Sequence, residues 1–75
     1  MCLLQMKVGE IAAVEAVNVN GALKQRLMAM GLTQDAQVCV KHFGWFKSTV
    51  QVMINRTLIA LRREEAELIE VQKVA

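Results

Sequence analysis

The sequence predicts a small, mostly β barrel of about five short strands, with one short α-helix placed after the first strand. Three observations carry that prediction. Two stretches alternate between inward apolar residues and more polar ones: Ala36 to Phe43, and Ser48 to Ile54. One stretch, Leu23 to Leu32, instead recurs at the three-and-four spacing of a helix and ends on glycine. Finally, the connections between apolar runs are tight and polar, and the 75-residue chain contains no proline and no low-complexity linker that would divide it. The whole chain, 1–75, therefore reads as one domain. Short strands in so small a chain bury their apolar faces best by rolling up, which also removes vulnerable edges, and the helix then plugs or caps the roll.

Residues 1–9 bring Leu3, Leu4, Met6 and Val8 up to Gly9, an apolar lead expected to pack across one end of the domain. Glu10 to Val17 is rich in Ile, Val and Ala and reads as the first strand, with Asn18, Asn20 and Gly21 marking its end. In the helix that follows, Leu23, Leu27 and Met30 form one apolar stripe while Lys24 and Arg26 turn away. Asn20 is placed to cap the first turn through its side chain. Gly31 is placed as a left-handed stop, which makes Leu27 and Leu32 the apolar pair of a Schellman motif.

The turn Thr33-Gln34-Asp35 leads into the second strand, with Val38 and Val40 on one face and Gln37, Cys39 and Lys41 on the other. Gly44 to Lys47 turns the chain into the third strand, where Val50, Val52 and Ile54 point inward. Asn55-Arg56 has the length of a two-residue hairpin turn, and Thr57 to Arg62 is the fourth strand. Arg63 to Ala66 suits a single helical turn, and Leu68 to Val74 closes the chain as the fifth strand.

Composition narrows the function. An apolar share of 55% is high for a domain of this size, which points to apolar surface that meets a partner. Two cysteines, Cys2 and Cys39, are too few for a disulfide framework and fit a reducing cytoplasm. No run of apolar residues is long enough to span a membrane, and no leader pattern opens the chain. Lys24, Arg26, Lys41, Lys47, Arg56, Arg62 and Arg63 face only Asp35 in the middle of the chain, whereas Glu64, Glu65, Glu67 and Glu70 crowd its end. Such a split steers the chain towards an acidic partner or towards a second copy of itself.

Phe43, Trp45 and Phe46 all fall at one predicted hairpin tip, beside Lys41, His42 and Lys47. Large rigid side chains ringed by positive charge are what a binding hot spot requires, so Trp45, Phe46, Lys47 and Lys41 are the candidate partner-binding residues. The competing reading leaves Phe43 on the core face and folds Trp45 back over the barrel end, with only Phe46 exposed. Met28, off the core stripe of the helix, is a further candidate for an adaptable contact. Cys39 and His42 fall on opposite faces of a regular strand, and no CxxC, HxxxH or carboxylate-histidine cluster occurs, so no metal or cofactor site is expected. The single histidine has no serine or carboxylate beside it and no phosphate loop is present, so no catalytic residue is assigned.

Several of these stretches together resemble the FeoA family of ferrous iron transport accessory proteins. The matching residues are Gly9, then Leu23, Arg26-Leu27 and Met30-Gly31-Leu32 for the family's helix and stop. Ile59-Ala60-Leu61-Arg62 match a strand, and Ala66, Ile69 and Val71 match the closing segment. The chain departs from the family pattern at Gln34-Asp35, where a Pro-Gly-like turn is usual, and at Gly44-Trp45-Phe46-Lys47, where a Gly-Asp-Pro-like segment is usual. The resemblance implies an SH3-like barrel and a bacterial, cytosolic accessory that contacts a FeoB-type transporter at its cytosolic GTP-binding region and reaches the membrane only through it. The rival class is a nucleic-acid-binding barrel that stacks bases on its aromatics, against which a formal charge of +2 is weak for phosphate binding.

Overall fold

A computed structural model describes residues 1–74. Its strands are β1 (Ile11–Val17), β2 (Gln37–Phe43), β3 (Thr49–Ile54), β4 (Thr57–Arg62) and β5 (Ile69–Lys73), with helix α1 (Gly21–Ala29) after β1 and the single turn α2 (Arg63–Ala66) between β4 and β5. The strands form one antiparallel sheet in the order β4-β3-β2-β1-β5. The alternation in the sequence becomes burial: Val38, Val40, Val50, Val52 and Ile54 face a shared core with Ala12, Val14, Ile59, Leu61, Ile69 and Val71.

Two bulges bend the sheet. Lys41 is the extra residue between the pairs Val40↔Val52 and His42↔Gln51, and Glu15 is the extra residue between Val14↔Val71 and Ala16↔Glu70. A bulge increases local twist and shifts the parity of every later side chain, which hydrophobic alternation alone does not reveal. The shift turns Phe43 inward opposite Val50, where its ring packs on the core. It also overturns the expectation that Cys39 and His42 point to opposite faces, since both now lie on the outer face, opposite Met53 and Gln51. Both cysteines are free thiols.

The helix is nine residues long and begins at Gly21 rather than at the apolar stripe. Asn20 occupies the N-cap position, but its side chain makes no capping hydrogen bond; Gly21 enters the helix at φ +66°. Leu27 is fully buried, whereas Leu23 and Met30 are half-buried at the margin of the core, because Leu23 borders an open cleft and Met30 is already the C-cap. The stop takes the expected form. Gly31 has φ +102°, Leu32 N–H donates to Leu27 C=O at 3.0 Å, and Gly31 N–H donates to Met28 C=O at 3.0 Å. A Cβ on Gly31 would approach Ile54 Cγ2 at 3.2 Å in a backbone conformation that side chains avoid. Gly31→Ala is therefore expected to lower stability by about 1–2 kcal/mol, read as a lower urea midpoint with unchanged slope.

The apolar lead folds into the core: Leu3–Gln5 form a 3₁₀ turn, and Leu3, Leu4 and Met6 are buried. Before that turn the chain runs along β5, with Val71 N–H donating to Met1 C=O at 2.8 Å and Cys2 bridging Glu70, so the outer edge of β5 is covered. Glu10 ties the lead to the end of β5. Its carboxylate accepts the Lys7 N–H at 2.7 Å and meets Lys73 Nζ at 2.9 Å, and these contacts, the backbone one foremost, hold its carboxyl below the usual glutamate range. Rolling the sheet up does not remove both edges, however: β4 and β5 are its two ends and do not pair with each other. The outer side of β4 stays open.

Candidate functional site

The hairpin tip is built by β2 and β3, which close at Gly44: Gly44 N–H donates to Thr49 C=O at 2.9 Å. A Cβ at Gly44 would meet Thr49 Oγ1 and require that side chain to turn aside, so the constraint here is space rather than backbone freedom. Between these strands Trp45–Lys47 form one tight turn, closed by Lys47 N–H on Gly44 C=O at 3.0 Å and Ser48 N–H on Trp45 C=O at 2.9 Å. Phe46 (φ 52°) and Lys47 (φ 57°) are both left-handed, an uncommon conformation for bulky residues that costs on the order of 1–3 kcal/mol each.

Four contacts hold the turn in that shape. Lys47 Nζ donates to Leu4 C=O at 2.9 Å and lies 4.7 Å from the centre of the Phe43 ring. Arg63, at the start of α2, donates through Nη1 to Phe46 C=O at 3.1 Å, and its own N–H donates to Ser48 C=O at 3.0 Å. The turn is thus fastened to the apolar lead on one side and to α2 on the other. What remains free is aromatic: Trp45 is 85% exposed and Phe46 87% exposed, with ring centres 6.2 Å apart. Trp45 does not fold back over the barrel end.

The candidate residues separate accordingly. Trp45 and Phe46 stand together at the tip; Lys47 is spent on Leu4 and Phe43; Lys41 is exposed on the bulge of β2. Met28, 44% exposed, lines a different cleft of about 310 Å³ with Lys24 and Glu15. The sequence reading did not find Arg63. It becomes a neighbour of the tip only because Thr49 pairs with Arg62, a register that local pattern does not reveal. Among the described residues no three of His, Cys, Asp and Glu are placed to hold a metal ion.

Energy decides how much such a tip can do alone. Two aromatic side chains bury about 150–250 Å² each, and at about 25 cal/mol per Å² that is roughly 8–12 kcal/mol of gross stabilisation on binding. The cost of association, about 4–15 kcal/mol, offsets most of it, so the tip works as the anchor of a wider contact. Replacing Phe46 with glycine relieves the left-handed strain. Phe46→Gly is expected to leave stability unchanged or to raise it by up to about 1 kcal/mol while weakening partner binding, a split readable by thermal melting and titration calorimetry.

Comparison with known proteins identifies the family. The FeoA domain model matches residues 1–73. The chain belongs to the FeoA family. A FeoA relative in Helicobacter pylori, named putative Fe(2+) transport protein A, is 37% identical over 67 residues, covering 89% of this chain and 86% of the relative. Among solved structures, the FeoA protein of Chlorobium tepidum superposes with a TM-score of 0.93 at 36% identity, over 100% of this chain and 71% of that one. FeoA from Stenotrophomonas maltophilia, solved with zinc and described as a prokaryotic SH3 domain protein, superposes at 0.82 with 28% identity, over 96% of this chain and 89% of that one. The five-stranded sheet with its helix after β1 is thus an SH3-like FeoA fold, and the chain is a component of ferrous iron transport.

Proposed function

We propose that this FeoA-family chain acts as a protein-interaction module on a FeoB-type ferrous iron transporter, binding the transporter's cytosolic GTP-binding region from the cytoplasm and catalysing no reaction itself. The observation that carries the reading is the tip, two aromatics more than four-fifths exposed on a turn fastened at both sides. A rigid apolar projection of that kind loses little entropy on docking, which suits a binding anchor. Membership of a ferrous iron transport family is the support for choosing a transporter as the partner. Trp45 and Phe46 are the anchor, Lys41 adds charge beside it, and Met28 is a second contact on α1. No helix of the described chain is long and apolar enough to cross a membrane, so membrane contact is assigned to the transporter. The zinc of the Stenotrophomonas structure belongs to that protein, and no metal is assigned here.

Exposed aromatics with lysine nearby can also stack single-stranded bases, so the test includes that arm. Titration calorimetry of the chain with the cytosolic GTP-binding domain of its own organism's transporter is expected to give saturable binding, and single-stranded RNA none. Binding of RNA alone, with steep salt dependence, would replace this reading by the nucleic-acid one.

A further inference from the structure

β4 is an edge strand whose outer side carries free hydrogen-bonding groups. Asn55 and Arg56, with φ of 48° and 69°, make the two-residue turn in which Ile54 and Thr57 form the closing hydrogen-bonded pair. Bonded and non-bonded pairs alternate along an antiparallel ladder, so Leu58, Ala60 and Arg62, opposite Met53, Gln51 and Thr49, turn their N–H and C=O groups away from β3. Arg62 shows the direction plainly, because its N–H donates to Glu65 Oε1 at 2.9 Å. Leu58 and Ala60 have no such substitute among the described residues, and the Leu58 side chain is itself 53% exposed.

Edges of this kind are normally blocked by lysine, proline or a covering segment, as Met1 and Cys2 cover β5. Here the outward-turned Leu58 and Ala60 are apolar and uncovered, while Ile59 and Leu61 between and beside them face the core. The same strand borders a cleft of about 570 Å³ between β4 and α1, lined by Ala22, Leu23, Arg26, Ala60, Arg62 and Glu65. Arg26 and Arg62 face that cleft and Arg56 stands at the other end of β4. The one carboxylate among them, Glu65, is already engaged by the Arg62 N–H and by Arg26 at 3.6 Å. The edge is therefore open, apolar in its middle and cationic at its ends.

We infer that β4 is a docking edge for an extended acidic segment of a partner protein, which adds to the sheet as a sixth strand beside Leu58 and Ala60 with its carboxylates against Arg26, Arg56 and Arg62. Backbone pairing supplies affinity and the arginines supply selection, the usual division in strand addition. A second copy of this chain fits less well: antiparallel β4 edges joined with Leu58 opposite Ala60 would set Arg56 against Arg62, and the edge of β5, which carries Glu70, is closed off by Met1 and Cys2. This inference concerns a different surface from the aromatic tip and does not depend on the iron-transporter reading.

The test uses the full chain, labelled with nitrogen-15, and an end-blocked eight-residue peptide alternating glutamate and valine. Saturable binding is expected, with hydrogen exchange at the Leu58 and Ala60 amides slowed at least tenfold and buried β2 amides unchanged. A lysine-valine peptide and a glutamate-valine peptide N-methylated at every residue should leave those two amides unprotected. Ala60→Pro removes one outward N–H without touching the β3 ladder, and should abolish binding; if that variant fails to fold, the N-methylated peptide decides the same point. Equal exchange with and without the acidic peptide would overturn the inference, as would equal protection by the lysine or N-methylated peptide. So would protection that rises with protein concentration alone, which would give the edge to a second copy.

Discussion

Leu27→Ala is expected to lower stability by about 2–5 kcal/mol, the largest effect of any single truncation in α1. Leu27 is 0% exposed, and it joins the helix to the core both through its side chain and through the C=O that receives the Leu32 N–H. A domain of this length holds on the order of 4–11 kcal/mol in total, so the variant forfeits a large share of it. The melting temperature should fall by roughly 10–30 °C. Met28→Ala, one residue along the same helix but exposed, should stay within about 0.5 kcal/mol of the parent. Equal melting temperatures for the parent and Leu27→Ala would mean that the α1 stripe is not the seam that holds the helix to the sheet.

The second large effect concerns binding rather than folding. Trp45→Ala should weaken the complex with the transporter's cytosolic domain by about 2–4 kcal/mol, roughly 30- to 700-fold in Kd, which is the range of a hot-spot aromatic. Folding should be almost untouched, because the indole makes no core contact and is 85% exposed. Phe46→Ala should act in the same direction. Since the two rings lie 6.2 Å apart, the double variant is expected to lose less than the sum of the single losses. Binding that survives Trp45→Ala undiminished would move the anchor elsewhere, with Met28 on α1 the next position to truncate.

Much of this fold is legible in the sequence because its strands are half-buried, so that one face must be apolar. Val50-Gln51-Val52-Met53-Ile54 declares both its period and its inner face, and Met30-Gly31-Leu32 declares a helix stop whose backbone bonds then form as the residue types require. The bulges are invisible, because an extra residue such as Lys41 is polar whether it lies in register or out of it. That is why His42 shares the outer face with Cys39, contrary to the expectation from a regular strand. The site is legible as composition but not as geometry. The sequence concentrates the aromatics between Phe43 and Phe46, yet only the folded chain shows Lys47 drawn inward by Leu4 and Arg63 brought up from α2. The open edge of β4 is of the same kind, for nothing in Leu58-Ile59-Ala60-Leu61 indicates that the neighbouring end of the sheet stays unpaired.

Trp45 is the one tryptophan of the chain, and it stands at the centre of the proposed contact. Replacing it biosynthetically with 5-fluorotryptophan gives a single fluorine resonance to follow while the unlabelled cytosolic GTP-binding domain of the ferrous iron transporter is added. The account predicts that this resonance shifts or broadens saturably as the indole leaves water, at the same stoichiometry that calorimetry reports. A resonance that stays at its free position and width in excess partner would contradict it.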